Sequence, residues 1–145
     1  MSIWKKHFSL EQLHHAAKDT LSSHLDIKII EIGDNYLKGT MPVNKHTHQP
    51  MGILHGGASV ALAESLGSVA GLMAADEGSY CVGMEINANH LAGIHQGLVI
   101  GIAKPIHIGR STQVWEIRIN DEKDKAICIS RITLAVLKES KNTSS

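Results

Sequence analysis

One carboxylate set in an apolar run is the side chain best placed to do chemistry in this chain. From Gly56 to Ala75 the only charged residue is Glu64, with Val60, Leu62, Leu66, Val69, Leu72 and Met73 around it. A helix apolar on nearly every side reads as enclosed, and a carboxylate in apolar surroundings can attack an electrophilic carbonyl or take a proton from water. An ordinary buried acid satisfied by local hydrogen bonds is the plainer alternative. Gly56 and Gly57 open the same run. Their N–H groups are unobstructed by a Cβ, and the positive end of a helix favours developing negative charge, so they form a candidate oxyanion site. Close packing of the helix start against a sheet would also use two glycines.

Other groups stand near these in sequence. Gln49 offers a side-chain donor. His55, just before the glycines, can bond the loop, polarise a carbonyl or serve structure alone. Ser68 lies at i+4 from Glu64 and shares its helix face, where it can orient the carboxylate or a water, or bond back to its own helix. Along a helix axis Gly56 and Glu64 are about 12 Å apart, so one helix cannot bring both to one small group. A two-fold dimer resolves this by setting the helix start of one subunit near the acid of the other.

The elements that must position these groups follow in order. Ser9-Leu10-Glu11-Gln12 has the form of a capping box and predicts a helix from about Leu10 to Leu21. Asp26 to Ile32 and Tyr36 to Met41 read as a hairpin about the Gly33-Asp34-Asn35 turn, with Pro42 ending the run. Val43 to Pro50 is a polar loop leading into the central helix. Four further strands are expected at about Tyr80 to Leu91, Leu98 to Ile108, Gln113 to Asn120 and Ala126 to Leu137. In the third of these, Trp115, Ile117 and Ile119 alternate with Glu116 and Arg118, the mark of a half-buried antiparallel strand. The tail from Glu139 is polar and expected to fray. One long helix among about six strands implies an α+β architecture, an antiparallel sheet curled round the helix in a single domain over residues 1–145. A second copy extending the sheet would cover one edge.

Composition removes several function classes. Lys plus Arg and Asp plus Glu are 14 each, so no bulk charge attracts nucleic acid or an anionic membrane. Aromatic residues make up only 3%, too few for stacking on single strands. The helix from Gly56 has about the length of a membrane span, but its central acid and its Gly and Ser content argue against one. Cys81 and Cys128 form no C-x-x-C pair, and MSIWKKHFS lacks the apolar run of a signal peptide, which predicts a reduced cytoplasmic protein. The ten histidines show no ligand spacing with Cys or carboxylates, so no metal is expected. No G-x-S-x-G elbow is present to support a serine hydrolase.

Gln49-Pro50, Leu54-His55-Gly56-Gly57-Ala58, Ala63-Glu64-Ser65 and Gly67-Ser68 together closely resemble the signature of hotdog-fold acyl-CoA thioesterases of the phenylacetate-pathway and hydroxybenzoyl-CoA type. The likeness runs on through Gly83-Met84-Glu85-Ile86-Asn87-Ala88-Asn89-His90 and into the last strand. It is strongest to the branch that contains the bacterial dihydroxynaphthoyl-CoA hydrolases. The resemblance implies a hotdog fold, hydrolysis of acyl-CoA without metal or redox cofactor, and interfacial sites in a homodimer or dimer of dimers. It implies that Gln49 and Gly56 hold the thioester carbonyl while Glu64 acts as nucleophile or base, and it places acyl-CoA contacts at Gly83, across His90-Leu91-Ala92-Gly93, and across His107-Ile108-Gly109-Arg110-Ser111-Thr112.

Coenzyme A also carries phosphates, for which Lys104, Arg110 and Arg131 are candidate partners, Arg110 first because it lies in a turn with two hydroxyls. The rival of another class is a non-catalytic acyl-CoA-binding module on the same fold. A desolvated Glu64 favours the enzyme, since binding a neutral thioester gains nothing from it. A hotdog hydratase or dehydratase would need a His or Asp pair placed elsewhere.

Overall fold

The computed structural model describes residues 1–141. Two short helices, α1 (Leu10–Ala16) and α2 (Leu21–His24), precede β1 (Lys28–Ile32) and β2 (Leu37–Val43). The long helix α3 (Gly56–Ala74) follows, then β3 (Ser79–His90), β4 (Gly97–Ile108), β5 (Thr112–Asp121) and β6 (Ala126–Lys138). The six strands form one sheet in the order β1-β2-β4-β5-β6-β3, with every neighbouring pair antiparallel. Register shifts between Ile29 and Glu31, Gly83 and Glu85, Pro105 and His107, and Ile119 and Asn120 bend the strands. Such bulges raise local twist and let a sheet curl round a helix. This is the expected α+β hotdog architecture.

Alternation decides which side of the sheet meets α3. Trp115, Ile117 and Ile119 of β5 are fully buried, as are Val99 and Ala103 of β4 and Ile132 and Leu134 of β6. Against them α3 turns Leu62, Leu66, Ala70 and Met73, all buried. Contact is close because small residues stand where the helix crosses. A Cβ on Gly101 would lie 2.8 Å from Leu66 Cδ1, and one on Gly71 would lie 2.3 Å from Leu134 Cδ1. Gly67 and Gly71 of the helix are thus packing positions against β6.

At the far end of α3, buried Gln113 donates to Gly71 O at 3.3 Å and accepts from Trp115 Nε1 at 2.8 Å. The Trp115 ring stacks on Trp4 at 6.0 Å between centroids, so the N-terminal segment closes the core. Removing so large a buried ring leaves a cavity, and Trp115→Ala is expected to lower stability by about 3–5 kcal/mol, read from chemical denaturation.

Four expectations need correction. The helix predicted to reach Leu21 stops at Ala16 and restarts as α2, because Asp19 adopts φ 59 between them. β2 runs through Pro42 to Val43, beyond β1, whose pairing ends at Thr40. The Pro42 carbonyl accepts from Thr47 Oγ1 at 2.9 Å, so its backbone edge points away from β4 and no ladder donor is missed. Glu139 is tied down, its N–H donating to Gly78 O at 2.8 Å, while the rest of the expected frayed tail from Asn142 lies outside the described residues. Lastly, α3 is long and apolar enough to span a membrane by length and composition, and the sheet buries one side of it, but Val60, Ala61, Glu64, Ser65, Ser68 and Leu72 are not buried. One chain encloses its central helix only in part.

Candidate active site

The loop from Asn44 to His55 sets the start of α3. Buried Thr47 anchors it: its hydroxyl accepts from Asn44 N–H at 3.1 Å, and its carbonyl accepts from His55 N–H at 2.8 Å. Gln49 sits in a tight turn, N–H to Ile53 O at 2.8 Å and carbonyl to Gly52 N–H at 2.9 Å. Its side-chain Oε1 accepts from Met51 N–H. A backbone N–H only donates, so the amide is held with the oxygen inward and the NH₂ left as a donor.

His55 is the N-cap of α3, its Nδ1 accepting from Gly57 N–H at 2.7 Å. The imidazole thus shapes the helix start, with its Nδ1 lone pair engaged. Ala58 and Ser59 N–H both donate to His55 O, at 2.9 and 3.3 Å. Gly56 N–H has no acceptor among the described residues. Of the first amides of α3, the free donor is the one at Gly56, where the helix dipole adds to its pull on an anion.

A pocket of about 400 Å³ opens on this donor, lined by Gln49, Gly56, His90, Leu91, Ala92 and Gly93 among others. His90 projects from the end of β3 onto the helix start; a Cβ on Gly56 would stand 2.8 Å from its Nε2. The sequence-predicted carbonyl donors and the His90 to Gly93 segment therefore meet in one place.

Glu64 lies elsewhere. With Ser68 it lines a separate groove of about 750 Å³ over the uncovered face of α3. Its Oε1 would be 3.1 Å from a Cβ on Gly83, so the glycine on β3 makes room for the carboxylate. Contrary to the expected desolvation, Glu64 is exposed in the single subunit. It joins none of the ion pairs among the described residues, which are Lys5 with Asp76, Lys38 with Glu31 and Arg118 with Glu116. No hydrogen bond links it to Ser68 among those residues. The sheet covers only the opposite side of the helix, which leaves Glu64 uncovered in the single subunit.

The candidate phosphate ligands scatter. Lys104 and Arg131 sit on the outer sheet face, each opposite Glu116 in register. That face points away from α3, so neither reaches the Glu64 groove of its own subunit. Arg110, with Ile108 and Gly109, lines a cleft at the C-terminal end of α3 beside Lys5 and Asp76. A helix of this length puts that end about 28 Å from Gly56. His107, Ser111 and Thr112 belong to the same hairpin end.

The groove walls include residues the sequence reading assigned no role: Phe8, Leu13 and Leu21, from the N-terminal segment. Leu10, Leu13 and Ala17 at helical spacing were the available signal, an apolar face in need of a partner. Neither cysteine is an activated nucleophile. Burial raises the thiols of Cys81 and Cys128, only partly opposed at Cys81 by Lys6. Among the described residues no three His, Cys, Asp or Glu side chains gather to hold a metal ion.

Comparison with known proteins identifies the family. A model described as the thioesterase superfamily matches residues 51–128, the stretch holding Gly56, Glu64, Gly83 and His90. The chain is 49% identical to the proofreading thioesterase EntH of Cronobacter turicensis, over 93% of this chain and 98% of that protein. It is also 49% identical to the 1,4-dihydroxy-2-naphthoyl-CoA hydrolase of Escherichia coli, over 93% of this chain and 99% of that one. A crystal structure of a thioesterase from Haemophilus influenzae superimposes with a TM-score of 0.94 at 46% identity, covering 97% of this chain and 99% of the other. By the family match, these relatives and the shared fold, the chain belongs to the thioesterase superfamily and is a hotdog-fold thioester hydrolase.

Proposed function

We propose that the protein hydrolyses acyl-CoA thioesters to the free acid and coenzyme A, at sites assembled between two subunits. The observation that carries this is the separation of parts within one chain: the unpaired Gly56 N–H and the oriented Gln49 amide face one pocket, while Glu64 waits in another. In the assembled site the thioester oxygen lies on Gly56 N–H and Gln49 Nε2 of one subunit, donors that strengthen as the oxygen gains charge. Glu64 of the other subunit then acts in one of two ways. As a nucleophile it bonds to the carbonyl carbon, the C–S bond breaks to release the coenzyme A thiolate, and water cleaves the resulting anhydride. As a base it takes a proton from water, whose oxygen attacks the same carbon, and the C–S bond then breaks to release coenzyme A, which takes up the proton. Both routes consume one water and yield acid and thiol, with no cofactor required.

The edge strand β3 supplies the natural dimer contact. It is 12 residues long, lies at the end of the sheet, and exposes Tyr80, Val82 and Met84. Unpaired apolar edges of this length pair with another strand. A homodimer, or a dimer of dimers, would bring a second Gly56 towards Glu64. The name of one relative, the 1,4-dihydroxy-2-naphthoyl-CoA hydrolase, favours an aromatic acyl group. Two free cysteines accord with the reducing cytoplasm proposed for it.

Thiol release from benzoyl-CoA tests the reaction, and no release above the uncatalysed rate with aromatic, short-chain or long-chain esters would remove it. Phosphate contacts are assigned first to Arg110, whose charge acts alike on ground and transition states. Arg110→Ala is expected to raise KM for acyl-CoA without altering KM for acyl-pantetheine, and an equal effect on both would discharge it from that role.

A further inference from the structure

The groove over α3 has Glu64 on its floor and a second wall that does not come from the hotdog core. That wall is the segment from Phe8 to Ser22, where Phe8, Leu13 and Leu21 supply apolar surface. Leu21 does so while 64% exposed, an apolar side chain held at the rim instead of in the core. The segment is anchored to β1 and to α3. His14 Nε2 bonds Ile29 O at 2.8 Å, and Ser22 Oγ lies 3.1 Å from Ser65 Oγ on α3. The Ser9 and Gln12 capping box, with bonds of 2.8 and 3.1 Å, fixes the start of α1. All of it precedes Met51, where the match to the superfamily begins. The wall facing the helix therefore lies outside the span of the family model, though within the length shared with the near relatives.

Charge narrows what the groove accepts. Among the side chains that line it, Glu64 alone is charged, and none is Lys, Arg or His. When a thioester carbonyl reaches Glu64, its acyl substituent has this groove to enter. An uncharged apolar group gains by leaving water there. A group ending in a carboxylate would meet Glu64 with no cation among these side chains to offset the repulsion.

We propose that the α1–α2 segment is the acyl-selecting wall of this enzyme, with Phe8 and Leu21 setting the size admitted, and that the groove takes uncharged aromatic or aliphatic acyl groups and excludes dicarboxylic ones. The inference rests on the thioesterase reading above and deepens it.

Its test is kcat/KM for benzoyl-, hexanoyl-, decanoyl- and succinyl-CoA in wild type, Phe8→Ala, Leu21→Ala and Leu21→Trp. The wild type is expected to disfavour succinyl-CoA by about 10²-fold against hexanoyl-CoA, as like-charge juxtaposition requires. The two Ala variants are expected to raise the decanoyl-to-benzoyl ratio about tenfold, and Leu21→Trp to lower it about tenfold, the scale of a few methylenes in an apolar pocket. Leu21 is exposed enough for its substitutions to spare the core, so its two variants decide the matter even if Phe8→Ala unfolds. Ratios unchanged in the Leu21 variants, or equal use of succinyl- and hexanoyl-CoA, overturn the inference while leaving the thioesterase reading intact. A wild type inactive on all four esters overturns both.

Discussion

Glu64→Gln is expected to retain the fold and lose at least about 10²- to 10⁴-fold in kcat, the range contributed by a positioned acid or base. Both halves of that expectation follow from where the carboxylate stands. In one subunit it is exposed, belongs to no ion pair among the described residues, and rests against Gly83 without a bond that an amide would break. Its replacement by an isosteric amide leaves no buried partner unsatisfied, so the melting temperature should stay close to that of wild type. The amide can neither attack a carbonyl as an anion nor take a proton from water. Neither cysteine is poised to replace it, because burial holds both thiols towards their protonated form. A Glu64→Gln protein that turns over benzoyl-CoA at near wild-type rate would show that chemistry resides elsewhere.

The second large effect concerns one hydrogen atom. Gly56 is the first residue of α3, and Pro is well tolerated there, since its fixed φ suits the first helical turn. His55 before it has φ −66 and ψ 129, the extended conformation that a following Pro demands. Gly56→Pro therefore removes the free N–H with little other change to the backbone. A new Cβ would press on His90, 2.8 Å from its Nε2, and Gly56→Ala adds that same Cβ while keeping the N–H. The comparison of the two variants isolates the donor. Gly56→Pro is expected to fall about 10²- to 10³-fold below Gly56→Ala in kcat, as for loss of one oxyanion donor. Equal rates for the two would mean that the glycine serves packing alone.

Much of this arrangement was legible in the residues themselves. The strands of the second half lie within about two residues of their predicted bounds because alternation such as Trp115, Ile117 and Ile119 against Glu116 and Arg118 states both the period and the buried face. The helix α3 was equally plain, but its uniform apolarity concealed which side the sheet would cover. Glu64 for that reason read as buried, when within one chain it is the uncovered face. The axial separation of Gly56 and Glu64 could be deduced from helix rise alone, and the proposal of a second subunit rests on it. The break at Asp19 depends on one residue with positive φ, which neighbouring helix formers obscure. The role of Phe8 and Leu21 was invisible because a groove wall is defined by what faces it, and nothing local reports that. Lys104 and Arg131 illustrate the reverse case: a charge is easily read, but the face it points from is settled by strand register.

The measurement that bears most directly on the account is subunit complementation between the two dead variants. If Glu64 of one subunit and Gly56 of its partner act on the same thioester, mixing Glu64→Gln with Gly56→Pro chains gives heterodimers in which one site carries both lesions and the other carries none. After co-refolding in equal amounts, half the dimers of a statistical mixture are mixed and one site in each is intact, so activity is expected to return to about one quarter of wild type. An activity no higher than the mean of the two variants, with mixed dimers verified by mass, would contradict an interfacial site and return both residues to a single chain.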